Sequence, residues 1–339
     1  MSAHANIPIF IPHLGCPNCC VFCNQRTISG VQAFDSESVT AIIEDSLATL
    51  GTRECEIAFF GGSFTGIDRA LMIRLLEIAS GFANRGFVRG IRCSTRPDYI
   101  DPEVLGILEK YGVTTVELGI QSVSDTVLRA SKRGHTFADT ERACRLVIEH
   151  GFELVGQMMI GLPNSNPVNE QKTAEFIINA GASSARIYPT VVFTGTELCS
   201  MTGRGEYTPL SHDEAVERSA AVYEQFLNAG VKVIRVGLCA SENLADADKY
   251  FAGPNHPALG ELVENRIYYN RISKSLSALG DVRGCDITVF VPRGSLSKAI
   301  GQGRRNKIRL MDEFHLSRLS FVEDDTITAF GHRLMQERK

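Results

Sequence analysis

Short apolar runs alternate along most of this chain with longer stretches in which apolar residues return every three or four positions, and the two periods predict different elements. Strands are expected at 7–11, 55–60, 91–94, 115–119, 154–160, 185–189 and 231–237, and helices at 36–50, 68–82, 102–111, 137–150, 168–180 and 211–228. Asp35 and Ser36, and Asp101 before Pro102, supply the capping oxygen or preset φ that opens a helix. Gly81, Gly112, Gly151, Gly181 and Gly230 follow helical runs closely, where a glycine stops them. Strands that are apolar almost throughout and separated by helices fit a parallel sheet covered by helices. Six or more such units suit an α/β fold curled into a partial or complete (β/α) barrel, whose chemistry gathers where the strands end.

The informative residues fall at those ends. After the first strand come Cys16, Cys20 and Cys23, spaced C-x3-C-x2-C. A four-iron cluster needs four ligands to be closed, so three thiolates on one tight loop leave an iron open to a reactant. The alternatives are a chance crowd of thiols, or a zinc knuckle, which wants a second C-x-x-C or paired histidines; Cys55, Cys93, Cys144, Cys199, Cys239 and Cys285 are scattered singly. Cys19 lies inside the loop but outside the three-thiol spacing and reads as a spare. Gly61, Gly62 and Ser63 follow the second strand. They form either a plain strand-to-helix turn or a place where exposed backbone groups meet a polar amino-acid moiety. Ser94 and Arg96 end the third strand and Gln121 the fourth, placed to bond a ribose hydroxyl or a carboxylate. Arg133 offers a bidentate fork to a carboxylate or lies on a solvated face. Gln157 interrupts an apolar run and needs a partner, either a ribose or a neighbouring backbone group.

The cysteine spacing, with the aromatic Phe22 before the third cysteine, resembles the cluster loop of radical S-adenosylmethionine (radical SAM) enzymes. Lys132-Arg133-Gly134-His135-Thr136, Met158 to Pro163, Tyr188-Pro189-Thr190, Gly195 to Leu198, Gly205-Glu206-Tyr207, Glu214-Ala215-Val216 and Val233 to Gly237 are similar to the Elongator catalytic-subunit branch, over about residues 7–240. The resemblance implies a [4Fe-4S] cluster on Cys16, Cys20 and Cys23 whose open iron takes the amino and carboxylate groups of S-adenosylmethionine. It implies cofactor contacts from Phe22, from Gly61, Gly62 and Ser63 to the methionine amino group, and from Ser94, Arg96, Gln121 and Gln157. It also gives Arg133 the place of the arginine that holds the cofactor carboxylate in oxygen-independent coproporphyrinogen oxidases. One electron from a donor such as flavodoxin or ferredoxin would then cleave the cofactor to methionine and a 5′-deoxyadenosyl radical, which takes hydrogen from an unactivated carbon; the implied substrate is a tRNA or rRNA base. Full-length members of that branch carry a C-terminal acetyltransferase domain, for which residues 241–339 show no R/Q-x-x-G-x-G/A segment, so base modification here would need something other than acetyl transfer. Their cluster loop is also usually longer and followed by glycine and proline, where this chain has Cys23-Asn24-Gln25-Arg26.

The expected organisation is therefore a radical SAM barrel at 1–240, with its cluster loop at 16–23, and a small α+β extension at 241–339. In the extension, helices are expected at 265–279, 294–300 and 304–312 and strands at 287–291 and 319–322. Arg293, Lys298, Arg304, Arg305, Lys307 and Arg309 crowd one stretch without a carboxylate. A helix, a glycine loop at 301–304 and a basic helix start, set between strands, resemble a K-homology fold at 285–325, whose G-x-x-G loop clamps a nucleic-acid backbone; Arg304 stands where the second glycine would be. The other reading of this stretch is a basic solvated face. His256 reads as a hydrogen-bonded structural histidine, or else as a ligand or base.

Composition narrows the rest. With 339 residues, 44% apolar and 22% charged, the chain suits one large domain plus an appendage, and a net charge of −4 confines any RNA site to a local patch. No basic leader and no run of 18 apolar residues occurs, so a cytoplasmic protein without a membrane span is expected, and ten cysteines there stay reduced or bind metal. Within the resemblance the alternative substrates are a small molecule, a peptide or a cofactor. Outside it stand a non-catalytic haem carrier, whose family motif needs a tryptophan this chain lacks, and an RNA-binding protein with a structural cluster.

Overall fold

The computed structural model describes residues 5–12, 14–16, 20–24, 34–50, 54–238 and 248–337. Cys19, Cys239, Gln25, Arg26 and the expected boundary at 240/241 lie outside the described residues. The chain divides into two compact units, one of Met1–Ser211 with Gln225–Asn255, the other of His212–Glu224 with His256–Lys339.

The first unit is built on seven strands, β1 (Ala5–Ile11), β2 (Cys55–Gly61), β3 (Gly90–Thr95), β4 (Val113–Gln121), β5 (Glu153–Ile160), β6 (Ser184–Pro189) and, after the short β7 (Val192–Phe193), β8 (Lys232–Val236). They form one sheet in the order β1-β2-β3-β4-β5-β6-β8, every neighbouring pair parallel. Among the described residues β8 does not return to pair with β1, so the barrel is partial. The crossovers hold α1 (Val39–Leu50), α2 (Arg69–Asn84), α3 (Pro102–Lys110), the short α4 (Asp125–Ala130), α5 (Phe137–Glu149) and α6 (Pro167–Asn179). Capping follows the sequence closely: Asp68, Asp101 and Asn166 each accept from the amide three residues on, and Thr136 with Asp139 forms a reciprocal capping box. Gly81 lies inside α2, which runs on to Asn84, rather than stopping it.

Side chains alternate between the two faces of each strand. On β1 the Ile7, Ile9 and Ile11 side chains are buried, while Asn6, Pro8 and Phe10 line the hollow of the barrel. The expectation of nearly continuous apolar strands fails on that inner face. Glu56, Arg92, Glu117 and Arg186 occupy it, all buried, because each finds an opposite charge across the sheet: Glu56 and Glu117 flank Arg92 from the neighbouring strands, and Arg186 on β6 reaches past β5 to Glu117 on β4. In this unit the elements not expected from periodicity are α4, α7 (Glu197–Gly203), β7 and β9 (Tyr250–Ala252); β7 and β9 pair antiparallel over too few residues to show a period.

The second unit holds part of α8 (His212–Asn228), then α9 (Leu259–Ala278), β10 (Asp286–Val291), α10 (Leu296–Ile300), α11 (Arg305–Phe314), β11 (Arg318–Glu323) and β12 (Arg333–Glu337). Its sheet is ordered β11-β10-β12, with β10 and β11 parallel and β12 antiparallel. Tyr268, Ile272, Leu276, Val289, Leu310 and Leu319 share its core. The buried Asn306 amide donates to the Asn265 and Ala299 carbonyls at 2.7 and 3.1 Å, tying three helices together. Among the described residues no helix is long and apolar enough to cross a membrane.

Candidate active site at the strand ends

The cysteine loop is anchored by backbone contacts on three sides. Gly62 and Ser63, at the end of β2, donate their amides to the Ile11 and Leu14 carbonyls at 2.8 and 2.9 Å. The Val21 amide donates to Ser131 O at 3.2 Å, and its carbonyl accepts from the Leu198 amide at 2.8 Å. Three glycines make the β2 contact close enough. An added Cβ would stand 2.1 Å from Ser63 O at Gly15, 2.7 Å from Ile11 O at Gly61 and 1.9 Å from Leu14 O at Gly62. The glycine run thus serves contact between two chain segments, and the Gly62 and Ser63 amides are engaged in it. The Ser63 hydroxyl is engaged too, with Thr95 Oγ1 at 2.8 Å and the Arg96 amide at 3.1 Å.

On this loop Cys20 is buried and Cys16 and Cys23 are half-buried; the Cys23 amide closes a turn onto Cys20 O at 3.0 Å. Among the described residues no three Cys, His, Asp or Glu side chains converge into a preformed metal site. The loop's donor set nevertheless suits iron: thiols on one short segment, facing buried donors that lack partners. Arg133 donates Nη2 to Gly119 O at 3.0 Å and Nη1 to Cys20 Sγ at 3.5 Å, and its Nε has no partner. Arg96 spends Nε and Nη2 on the Asp98 carboxylate at 2.9 and 2.7 Å, leaving Nη1 buried and unpaired. Neither ring nitrogen of buried His135 makes a side-chain bond of good geometry. Burial, with Arg133 adding to it, pushes that imidazole down to about 4, so it is neutral near pH 7. Burial also raises the Cys16 thiol, against the pull of Arg133 and Arg96.

Below the loop the barrel encloses a cavity of about 600 Å³. Phe10, Phe22, Phe60, Tyr188 and Phe193 form aromatic walls, with Cys23, Gly61, Ser94, Gln121 and Gln157 also lining it. Gln121 has φ +66, at a shift in the β4–β5 register that re-aims the strand end, and its buried Oε1 has no partner. Gln157 donates Nε2 to Ser94 Oγ at 3.1 Å and to Glu117 Oε2 at 2.8 Å. Glu117, fully buried, accepts from Arg92 Nη1 at 2.9 Å and from Arg186 Nε and Nη2 at 2.8 and 2.9 Å; Arg92 in turn bonds Glu56. Desolvation alone would raise the Glu117 carboxyl, but Arg186 and then Arg92 outweigh it and hold it below its ordinary value.

Of the candidate residues, the fold places Phe22, Cys23, Gly61, Ser94, Gln121 and Gln157 around this cavity. Cys16, Cys20, Arg96 and Arg133 gather at the loop, each acting electrostatically on another of the group, and Gly62 and Ser63 brace it. The hub Glu117, its partners Arg92 and Arg186, the second Arg92 partner Glu56, and His135 were not singled out in sequence. The signal was available: charged residues at inward positions of otherwise apolar strands.

The match to known families falls on these elements. The radical SAM superfamily model covers residues 10–177, from β1 through α6, and the Radical_SAM C-terminal domain model covers residues 182–269. The chain belongs to the radical SAM superfamily. It is 37% identical over 126 residues to the tRNA uridine(34) acetyltransferase of Methanocaldococcus jannaschii, spanning 36% of this chain and 23% of that protein. It is 35% identical over 136 residues to human Elongator complex protein 3, spanning 39% and 25%. The chain thus spans about a quarter of the length of these curated relatives. The structure of Methanocaldococcus infernus Elp3 with an N-terminal deletion superposes with a TM-score of 0.61 at 25% identity, covering 80% of this chain and 63% of that one. The barrel is of the radical SAM type, its similarities lie in the Elongator-like branch, and the cofactors of this superfamily are a [4Fe-4S] cluster and S-adenosylmethionine.

The basic stretch of the second unit is only partly free. Lys298 pairs with Glu264 at 2.8 Å and Arg309 lies over the Tyr269 ring at 4.1 Å, so two of the six cations have partners outside their own stretch. Arg304, Arg305 and Lys307 remain at the connection of α10 to α11 and the start of α11, and Arg293 on the connection before α10. Arg304 has φ +63, the conformation the second glycine of a G-x-x-G loop would favour. His256 accepts from the Ala258 amide through Nδ1 at 3.1 Å, a structural use.

Proposed function

We propose that this protein is a cytoplasmic radical SAM enzyme that modifies a base of RNA, with tRNA the first candidate. Cys16, Cys20 and Cys23 would hold the cluster, which with S-adenosylmethionine supplies reductive cleavage to a 5′-deoxyadenosyl radical able to take hydrogen from an unactivated carbon. The protein's share is position and exclusion of water. Gln121 offers its unpartnered amide oxygen to the cofactor, Ser94 and Gln157 present a pre-bonded polar edge, and Phe22 closes the cavity beside Cys23. The aromatic walls offer a planar base stacking surfaces. The observation that carries the RNA reading is the similarity of the radical SAM region to a tRNA uridine(34) acetyltransferase and to Elongator complex protein 3. The electron would come from a flavodoxin or ferredoxin.

Anaerobic reconstitution is expected to give one four-iron cluster per chain. Alanine at Cys16, Cys20 or Cys23 should abolish its visible absorption, whereas Cys19→Ala should leave it; loss of all iron in Cys19→Ala would reassign the ligands. Turnover with total cellular RNA, followed by nucleoside mass spectrometry against a deletion strain, tests the substrate. Cofactor cleavage without any altered nucleoside would redirect the search to a small molecule.

The second unit is proposed to hold that RNA through its basic loop, in the manner of a K-homology fold. Neutralising Arg304, Arg305 and Lys307 together should weaken RNA binding and flatten the log–log salt dependence by about 0.7–0.9 for each phosphate no longer neutralised. Cleavage of S-adenosylmethionine without substrate should be unaffected. An unchanged salt slope in the triple variant would return the stretch to a solvated face.

A further inference from the structure

Arg133 is 8% exposed, yet no carboxylate meets it among the described residues, whereas Arg96 beside it is paired with Asp98. A buried guanidinium without an anion is strongly unfavourable. What it does meet is sulfur: Nη1 lies 3.5 Å from Cys20 Sγ, and Nη2 is held by Gly119 O at 3.0 Å. Its backbone is fixed as well. The Arg133 amide bonds Leu128 O at 2.9 Å, Lys132 before it turns at φ +50, and the Lys132 ammonium is anchored on Glu197 at 2.6 Å. A side chain held in this way is not a mobile counter-ion; it is a fixed positive charge whose hydrogen bond to sulfur goes to Cys20, its Nε remaining without a partner.

We propose that Arg133 is a positioning residue that sets the reduction potential of the cluster, by holding its charge and an N–H donor against the Cys20 thiolate. The proposal rests on the reading of Cys20 as a cluster ligand. On reduction the cluster takes one electron from a low-potential carrier, no bond forms or breaks, and Arg133 keeps its proton. The cluster becomes more negative by one charge, so a nearby cation stabilises the reduced form more than the oxidised one. The strand-end Gly119 carbonyl, by fixing the other arm of the guanidinium, keeps the donor on sulfur in both states.

The test is a potentiometric titration, followed by electron paramagnetic resonance, of the anaerobically reconstituted full chain. Arg133→Gln is expected to make the cluster at least tenfold harder to reduce, which for a one-electron couple is a midpoint lowered by about 59 mV. Arg133→Lys, which keeps the charge but cannot span Gly119 O and Cys20 Sγ together, should shift the same way by less. Coincident midpoints in wild type and the iron-loaded variants, or a shift of opposite sign, would overturn the proposal. Should the Gln variant lose its iron, wild-type protein labelled with [15N]arginine gives an independent reading. Its reduced cluster should show a weak 15N coupling that Arg133→Lys removes, and absence of coupling in the wild type overturns the proposal. Failure of the wild type to take up any cluster would instead sink the functional reading itself.

Discussion

Gly62→Ala is expected to leave the barrel folded and to cost the protein its iron. The added Cβ would stand 1.9 Å from the Leu14 carbonyl oxygen, a clash no rotamer change can relieve because both partners are backbone. One of the two segments must move. Strand β2 is held between β1 and β3 with Cys55, Ile57, Ala58 and Phe59 fully buried, whereas Leu14 is 41% exposed, so the cysteine loop gives way. Its displacement breaks the Ser63 N to Leu14 O bond that sets the start of the loop. Forced shifts of this kind cost about 1–3 kcal/mol, and about 1.4 kcal/mol is tenfold in an equilibrium, so cluster retention should fall roughly ten- to a hundredfold. Iron and sulfide per chain after reconstitution measure it. Gly81→Ala is the control, because that helical glycine has nothing within 4 Å of an added Cβ; it should load iron normally and gain about 0.5–1 kcal/mol of stability. Normal iron in Gly62→Ala would show that the close approach at β2 does not hold the loop.

The largest stability effect belongs to Glu117. Glu117→Leu leaves Arg92 and Arg186 facing each other across an apolar side chain, and removing one member of a buried ion group costs about 3–5 kcal/mol. Gln157 loses a partner in the same step. The urea midpoint of the barrel transition should drop accordingly, with Glu117→Gln falling between it and the wild type. The pH dependence has a definite sign. A carboxyl held below its ordinary value of 4.5 contributes fully above that pH and loses its contribution only as pH falls through the lower folded value. The gap between wild type and Glu117→Gln should therefore be constant at neutral pH and narrow only below pH 4.5. A gap that narrows between pH 5 and 7 would mean that Glu117 is not held ionised by its arginines.

The strand and helix order was legible because the strands carry apolar residues on their helix-facing side and the longer helices keep a period, several of them with a cap, as at Asp101-Pro102 and Thr136-Phe137. The strand-end residues were legible for the same reason, since a polar side chain just past an apolar run stands out, as Ser94 and Gln121 do. Gly62 was seen, but its contact with Leu14 was not, because a glycine permits close approach whether the neighbour is a ligand or another chain segment. Glu117 carried only its charge within an apolar strand as a signal; its partners could not be read from its own segment, because Arg92 comes from the adjoining β3 and Arg186 from β6, two strands away. The Lys298–Glu264 pair was invisible for the same reason, since charges were counted within one stretch while the partner lay on another helix.

The charged lining of the barrel also constrains how this protein can change over time. Loss of Glu117 alone strands two cations, and loss of either arginine alone strands part of an anion, yet replacing a whole buried ion group with well-packed apolar residues is often neutral or stabilising. Positions 92, 117 and 186 therefore cannot drift one at a time. Among descendants of a common ancestor they should appear as a linked set, kept together or exchanged together, with every intermediate purged by its instability.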